Sequence, residues 1–113
     1  MSDAVSEARR WYASRISAMV LAICVVVHLA TIIYAVQGGL TAGEILGRTR
    51  GNWIFAGFYS VFVLACAVHV PVGVENIARE WFRFGPRVAR AFAWAVAAVI
   101  LVMGLRAVYG VTA

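Results

Sequence analysis

Three long apolar stretches alternate with polar segments along the chain. The first covers residues 16–36 and the second covers residues 54–74; each is 21 residues long and uncharged. The third covers about residues 88–109 and is uncharged over residues 91–105. At 1.5 Å of rise per residue, 21 helical residues measure about 30 Å, the thickness of the hydrocarbon layer of a bilayer. The pattern therefore predicts three transmembrane helices over about these residues.

The segments between the apolar stretches carry capping and turn signals. The glycine pair at residues 38–39 ends the first helix, and the Thr-Ala-Gly-Glu run at residues 41–44 has the spacing of a capping box. This spacing predicts a short surface helix over residues 42–46. The charged residues 75–83 continue the second helix as an amphipathic helix, which the Gly-Pro pair at residues 85–86 is expected to stop.

The composition excludes a soluble domain. The chain has 113 residues, of which 64% are hydrophobic and 13% are charged, and its mean hydropathy is +0.88. A soluble chain of this length has too much surface for its volume to bury so many apolar side chains. The sequence therefore predicts an all-α membrane protein in which residues 1–113 form a single transmembrane domain.

The net charge of +5 comes from ten arginines, all placed outside or at the edges of the apolar stretches. A nucleic-acid-binding protein gathers its basic residues on one solvated face, so no nucleic-acid partner is expected. Seven arginines lie on one side of the predicted membrane and three on the other. The seven are Arg9, Arg10, Arg15, Arg79, Arg83, Arg87 and Arg90, and the three are Arg48, Arg50 and Arg106.

This asymmetry sets the expected orientation. By the positive-inside rule, the N-terminus and the connection over residues 75–90 face the cytoplasm, and the C-terminus lies outside. The use of Arg in place of Lys, together with much Ala, Val and Gly, is typical of a GC-rich bacterial genome. We therefore expect a multi-pass protein of a bacterial cytoplasmic membrane.

Two ionisable side chains lie inside the predicted spans, His28 and His69, and they are the only histidines. An intramembrane ionisable residue is costly and marks a candidate site. Each histidine has two interpretations: a hydrogen bond that packs neighbouring helices, or axial ligation of haem iron. For His69 the neighbours favour the ligand, because Gly73 removes a side chain from the same face one turn on and Pro71 bends the helix locally.

Two cysteines accompany the histidines. Cys24 precedes His28 by four residues and Cys66 precedes His69 by three, so each thiol shares a helix face with its histidine. The four ligand types allow a zinc site, but unequal depths in the membrane disfavour it. Free core thiols are the expected state. The absence of a Cys-x-x-Cys-His motif excludes covalently attached c-type haem.

The depths of the two histidines decide whether they can share one iron. His28 lies 12 residues from Ile16, the cytoplasmic end of its span, or roughly 18 Å. His69 lies 5 residues from Val74, or roughly 7.5 Å. The levels differ by about 10 Å, whereas metal–imidazole bonds measure about 2 Å. The second ligand to an iron held by His69 is therefore expected from another chain.

Three short motifs resemble those of the small three-helix membrane-anchor subunits of succinate dehydrogenase and fumarate reductase. They are Ser14-Arg15-Ile16-Ser17-Ala18, His69-Val70-Pro71-Val72-Gly73-Val74 and Arg79-Glu80-Trp81. The resemblance covers nearly the whole chain in length, number of spans and orientation. It implies that His69, followed four residues later by glycine, is an axial ligand of haem b. It also implies that a second membrane-anchor subunit supplies the other ligand.

The resemblance assigns further residues to the haem and quinone. It implies that Arg15 binds a haem propionate or quinone, that Ser17 binds quinone, and that Glu80 and Trp81 lie at the quinone edge. Tryptophan stands where the family has tyrosine; its indole N–H donates a hydrogen bond but does not give up a proton as a phenol does. The alternatives are a topology arginine at Arg15 and an ordinary helix-start serine at Ser17. His28 would be a metal ligand only if a second haem is present.

The implied function is electron transfer between an iron–sulfur subunit and membrane quinone, within a complex that also contains a flavoprotein subunit and acts on succinate or fumarate. The chain has no flavin or iron–sulfur motif of its own, so chemistry on the dicarboxylate belongs to the partners. Whether the chain is itself enzymatic depends on a quinone site. Two alternatives stay open: a non-redox helix-packing or accessory membrane subunit, and the haem anchor of a different dehydrogenase.

Overall fold

A computed structural model describes residues 2–113, and four helices account for nearly all of them. Helix α1 covers Ser2–Gly38, α2 covers Ala42–Thr49, α3 covers Trp53–Glu80 and α4 covers Pro86–Thr112; these residues include no strand. Helices α1, α3 and α4 are each long and apolar enough to cross a membrane. The prediction of an all-α fold with three helices long and apolar enough to span a membrane is confirmed for these residues.

Helix α1 extends well beyond the first predicted span. Its 37 residues measure about 55 Å, so the segment before Ile16 projects about 20 Å as a continuous helix. This segment contains no glycine or proline, and Asp3 in its first turn interacts favourably with the positive end of the helix dipole. The polar N-terminal segment is therefore a helical extension of the span.

The short helix after the first span has the predicted capping box. The Glu44 backbone N–H donates to Thr41 Oγ1 at 3.2 Å, and the Thr41 backbone N–H donates to Glu44 Oε2 at 3.3 Å. The helix runs to Thr49, three residues past the predicted end. There the Thr49 hydroxyl donates to the carbonyl of Val111 at 2.6 Å. This bond ties α2 to the end of α4.

Helix α3 ends earlier than the sequence indicates. It stops at Glu80, because Arg83 adopts a left-handed conformation with φ of 55° and reverses the chain. The Phe84 backbone N–H then donates to the carbonyl of Ala78 at 3.0 Å, which satisfies a carbonyl that the helix end leaves free. The predicted amphipathic helix over residues 75–83 is therefore wrong beyond Glu80.

Helix α3 is the central element and packs against α1 on one side and α4 on the other. Small side chains bring α3 and α4 close together: Ala65, Ala89 and Ala93 are buried, and Gly104 lies against Val63. Small residues serve this purpose in membrane helix packing. Most large apolar side chains on the outer faces are exposed, so these faces require lipid or another apolar partner.

Candidate functional site

His69 faces α1 and is held there by one of its ring nitrogens. Its Nδ1 lies 3.3 Å from the Ser14 carbonyl oxygen and 3.3 Å from Ser17 Oγ. Because a carbonyl only accepts hydrogen bonds, the contact with Ser14 places a proton on Nδ1. The other nitrogen, Nε2, then carries a free lone pair, and it has no hydrogen-bond partner within the described part of the chain.

Ser17 is engaged on this inner side of α1. It is 5% exposed, and its hydroxyl donates to the carbonyl of Ala13 at 2.6 Å. Its oxygen is therefore free to accept a hydrogen bond from Nδ1–H of His69. The structure places this serine against the histidine ring, where it orients the imidazole.

The surface of α3 one turn beyond His69 carries no side chain. Gly73 lies one turn further along α3, and a Cβ added there would have no heavy atom within 4 Å. His69 itself is half-buried. A metal-bound histidine commonly donates its second ring N–H to a carbonyl, as His69 does here to Ser14. The residues present therefore fit axial ligation of haem iron through Nε2.

His28 has a different environment. Its Nδ1 lies 3.3 Å from the hydroxyl oxygen of Tyr59. Its ring packs edge-to-face against Tyr59 and Phe62, with centroid distances of 5.6 and 5.8 Å. These contacts join α1 to α3, which is the helix-packing interpretation of an intramembrane histidine.

The helix contacts give the distance between the two histidine levels. Ser17 contacts His69 and His28 contacts Tyr59, so the two contacts are eleven residues apart on α1 and ten on α3. At 1.5 Å per residue this is about 15 Å. The difference in depth of about 10 Å that the sequence predicts for the two histidines was too small. It assumed that Val74, the end of the second apolar stretch, is level with Ile16, whereas Val74 is level with a position about one helical turn before Ile16.

Arg15, Glu80 and Trp81 do not join the cluster around His69. Arg15 is exposed, and its guanidinium carbon lies 5.4 Å from the ring centroid of Trp11. Glu80 and Trp81 are exposed at the end of α3. Since Arg10 on α1 contacts residues 75–76, Glu80 is level with about the fifth residue of the chain, roughly 15 Å from the level of Arg15.

A cavity of about 570 Å³ lies where the polar ends of α1 and α3 meet. Glu80 lines it together with Ser14, Arg10 and Arg79, whereas Arg15, Ser17 and Trp81 do not. Of the residues assigned to a quinone edge, only Glu80 therefore lines this cavity. Ser14, whose carbonyl contacts His69, lines the same cavity.

Sequence reasoning missed a buried carboxylate at this end of the molecule. Glu75 is 7% exposed, and its Oε2 lies 3.0 Å from Arg10 Nη2. The same guanidinium nitrogen donates to Asn76 Oδ1 at 3.1 Å, and Arg90 Nε lies 4.0 Å from Glu75 Oε1. The available signal was the position of Glu75 directly after the second apolar stretch, where antiparallel helices bring arginines from both neighbours.

The cysteines form no metal site. Both are free; Cys24 is buried and Cys66 is half-buried. Residues 2–113 include no group of three or more His, Cys, Asp and Glu side chains that could hold a metal ion. No three of the two cysteines and two histidines therefore lie together in this part of the chain as a zinc site requires.

The described residues are all-helical, with three helices long and apolar enough to cross a membrane, and each of the two histidines makes its polar contacts there through Nδ1 alone. No protein-family model matches the chain, and comparisons with curated proteins and with solved structures found no similar protein.

Proposed function

We propose that this chain is the haem b-binding membrane anchor of a complex of the succinate dehydrogenase/fumarate reductase type. It passes electrons between an iron–sulfur subunit and membrane quinone. The observation that carries the proposal is the state of His69: Nδ1 is held by Ser14 and Ser17, Nε2 is free, and the adjacent face at Gly73 is open. The resemblance of the His69–Val74 and Arg79–Trp81 motifs to that family supports it.

The residues around the haem have distinct tasks. When bound, the haem supplies a one-electron carrier. His69 would hold the iron through Nε2, and the Ser14 carbonyl accepts a hydrogen bond from Nδ1–H, which fixes the ring and makes Nε2 a better ligand. Ser17 is a positioning residue in this arrangement. Arg15, at the edge of the first span, is suited to pair with a propionate or to donate to a quinone carbonyl.

The second axial ligand comes from a second membrane-anchor subunit. His28 lies about 15 Å from the level of His69 and is packed by Tyr59, and the chain has no third histidine. In the proposed complex a haem therefore lies between two anchor subunits. The open faces of α1 and α3 are apolar enough to pack against the second one.

The proposed orientation follows the arginines. The N-terminus and the turn over residues 81–85 face the cytoplasm of a bacterium, where the flavoprotein and iron–sulfur subunits dock, and the C-terminus lies outside. The helical extension of α1 before Ile16 and the end of α3 then project towards these subunits. Glu80 and the 570 Å³ cavity lie on the same side, where quinone meets the iron–sulfur subunit.

Purification of the intact complex through a tag on this chain tests the proposal. We expect sharp bands of a bis-histidine haem in the reduced visible spectrum, and co-purification of a flavoprotein and an iron–sulfur protein with succinate-oxidising or fumarate-reducing activity. A complex without haem bands would support the competing interpretation, a non-redox helix-packing subunit. The contact of His28 with Tyr59 is of the kind that this interpretation requires. Haem with other soluble partners would indicate a different dehydrogenase.

A further inference from the structure

A second cavity, of about 510 Å³, lies across α3 between the ends of α1 and α4. Its polar end is formed by Arg10, Glu75 and Arg90, one from each long helix. Its other end is apolar and is lined by small side chains that include Ala67 and Ala97. We refer to it as the three-helix groove. It adjoins the 570 Å³ cavity, with which it shares Arg10 and Val72, and His69 does not line it.

The polar end contains a buried acceptor without a hydrogen bond. Glu75 Oε2 pairs with Arg10 at 3.0 Å, but Oε1 is buried, has no hydrogen-bond partner within residues 2–113, and lies 4.0 Å from Arg90 Nε. Buried carboxylate oxygens are almost always satisfied, because leaving one unpaired costs free energy. The groove therefore lacks a hydrogen-bond donor that a bound molecule can supply.

The charges select the sign of that molecule. Two arginines and one glutamate leave the polar end with a net charge of +1, and the Arg90 side chain is largely exposed, with 64% of its surface accessible. An anionic group therefore complements the site, and its hydroxyl can donate to Glu75 Oε1. A headgroup ammonium would meet two guanidinium groups, so a zwitterionic amine is disfavoured.

The groove also has the depth of a phospholipid. Glu75 directly follows the second uncharged stretch and Arg90 directly precedes the third, so the polar end lies at the level of the lipid headgroups. Trp94 lines the groove one turn deeper, as expected for an aromatic residue at the membrane interface. Ala97 lies one further turn inside, at the level of the acyl chains.

We propose that the three-helix groove binds one anionic phospholipid whose headgroup carries a hydroxyl. Its phosphate accepts hydrogen bonds from Arg10 and Arg90, its hydroxyl donates to Glu75 Oε1, and an acyl chain lies over Ala67 and Ala97. Basic pockets between transmembrane helices bind anionic headgroups in this way. The bound lipid joins the ends of all three long helices, and this role is independent of haem binding.

Lipid titration of the purified full-length chain, followed by native mass spectrometry, tests this site. Phosphatidylglycerol should bind as a single adduct and more tightly than phosphatidic acid, which lacks the headgroup hydroxyl, with phosphatidylcholine weakest. Arg90→Gln should weaken phosphatidylglycerol binding about fivefold, the equivalent of about 1 kcal/mol per arginine. The matched control Arg106→Gln removes the same charge at the exposed far end of α4 and should leave affinity unchanged.

A second pair of variants tests the apolar end without changing charge. Ala97→Phe fills the groove and should abolish the adduct, while Ala98→Phe, on the neighbouring exposed position, should not. Equal binding of phosphatidylglycerol and phosphatidylcholine would overturn the proposal, as would equal effects of the two arginine variants, which indicate general surface attraction. Displacement of the lipid by decylubiquinone with the same dependence on Arg90 would assign the groove to quinone instead.

Discussion

At the scale of single residues, the imidazole of His69 depends on a neighbour that the sequence presents as an ordinary serine. The Ser17 hydroxyl donates its hydrogen to the Ala13 carbonyl, and its oxygen lies 3.3 Å from Nδ1 of His69. This oxygen therefore accepts a hydrogen bond from Nδ1–H alongside the Ser14 carbonyl. Removal of a hydrogen-bond partner of a metal ligand typically lowers metal affinity or activity by about 10-fold to 100-fold. In the proposed complex Ser17 would therefore act on the haem through His69.

Replacement of Ser17 tests this positioning role. Ser17→Ala removes one of the two acceptors from Nδ1 while the Ser14 carbonyl remains, so haem should be retained but held about tenfold more weakly and with a shifted midpoint potential. Redox titration of the reduced haem bands measures the shift. Ser60→Ala, a half-buried serine of α3, is the control. A midpoint potential equal to wild type in both variants would show that Ser17 does not act on the ligand.

Replacement of Arg15 tests quinone-linked turnover, whereas replacement of Ser17 tests the haem potential. In the proposed complex Arg15→Leu should depress quinone-linked turnover much more than turnover with an artificial soluble acceptor, because only the quinone reaction uses the membrane edge. Arg87→Leu, an exposed arginine in the first turn of α4, is the matched control. Parallel assays with the two acceptors give the ratio. Equal loss of both activities would indicate an assembly role, and no loss would leave Arg15 as a topology arginine that stacks on Trp11.

At the scale of elements, the tightest contact is the one between α3 and α4. A Cβ on Gly104 would lie 2.6 Å from Val63 Cγ1, and the β-branched valine has little rotamer freedom to move aside. The two helices therefore approach each other to a distance that only glycine allows at this position.

Gly104→Ala should accordingly destabilise the protein by about 1–3 kcal/mol, the usual cost of overpacking a close contact. Gly110→Ala, on the same helix with open space around the added methyl, should be neutral or slightly stabilising. Thermal unfolding in detergent, followed by circular dichroism, compares the two. Equal midpoints would contradict the close packing of α3 on α4.

The elements also show where sequence reasoning succeeds and where it ends. Hydropathy located the three spans, and the spacing of Thr41 and Glu44 predicted a capping box that forms as expected, because both signals are local. The relative shift of α1 against α3 is not local. It depends on contacts such as that of Arg10 with Glu75. For this reason the difference in depth between the two histidines was underestimated, and the buried carboxylate was missed.

At the scale of the whole molecule, charge is concentrated at one end. The groove, the 570 Å³ cavity and the projecting part of α1 all lie at the end that carries Arg10, Arg79 and Arg90. The orientation proposed above places this end in the cytoplasm, which agrees with the positive-inside rule and gives the soluble subunits of the proposed complex access to it.

Cysteine accessibility in intact cells measures the orientation. In a background with Cys24 and Cys66 replaced by alanine, a cysteine at Ala4 should be protected from a membrane-impermeant maleimide, and a cysteine at Ala113 should react. Permeabilised cells provide the labelling control at both positions. Reaction at Ala4 and protection at Ala113 would reverse the proposed topology and place the soluble subunits on the wrong side.

The comparison of two histidine variants in the assembled complex tests haem ligation by His69 most directly. Both variants remove an intramembrane imidazole that contacts a neighbouring helix, but only His69 stands in the motif that resembles the family's haem ligand, whereas His28 contacts Tyr59 and lines a separate cavity of about 480 Å³. Reduced-minus-oxidised spectra of His69→Ala and His28→Leu, normalised to the amount of complex, should show loss or reshaping of the haem bands in the first and near-wild-type bands in the second. An unchanged spectrum in His69→Ala, with the wild-type midpoint potential, would contradict ligation by His69.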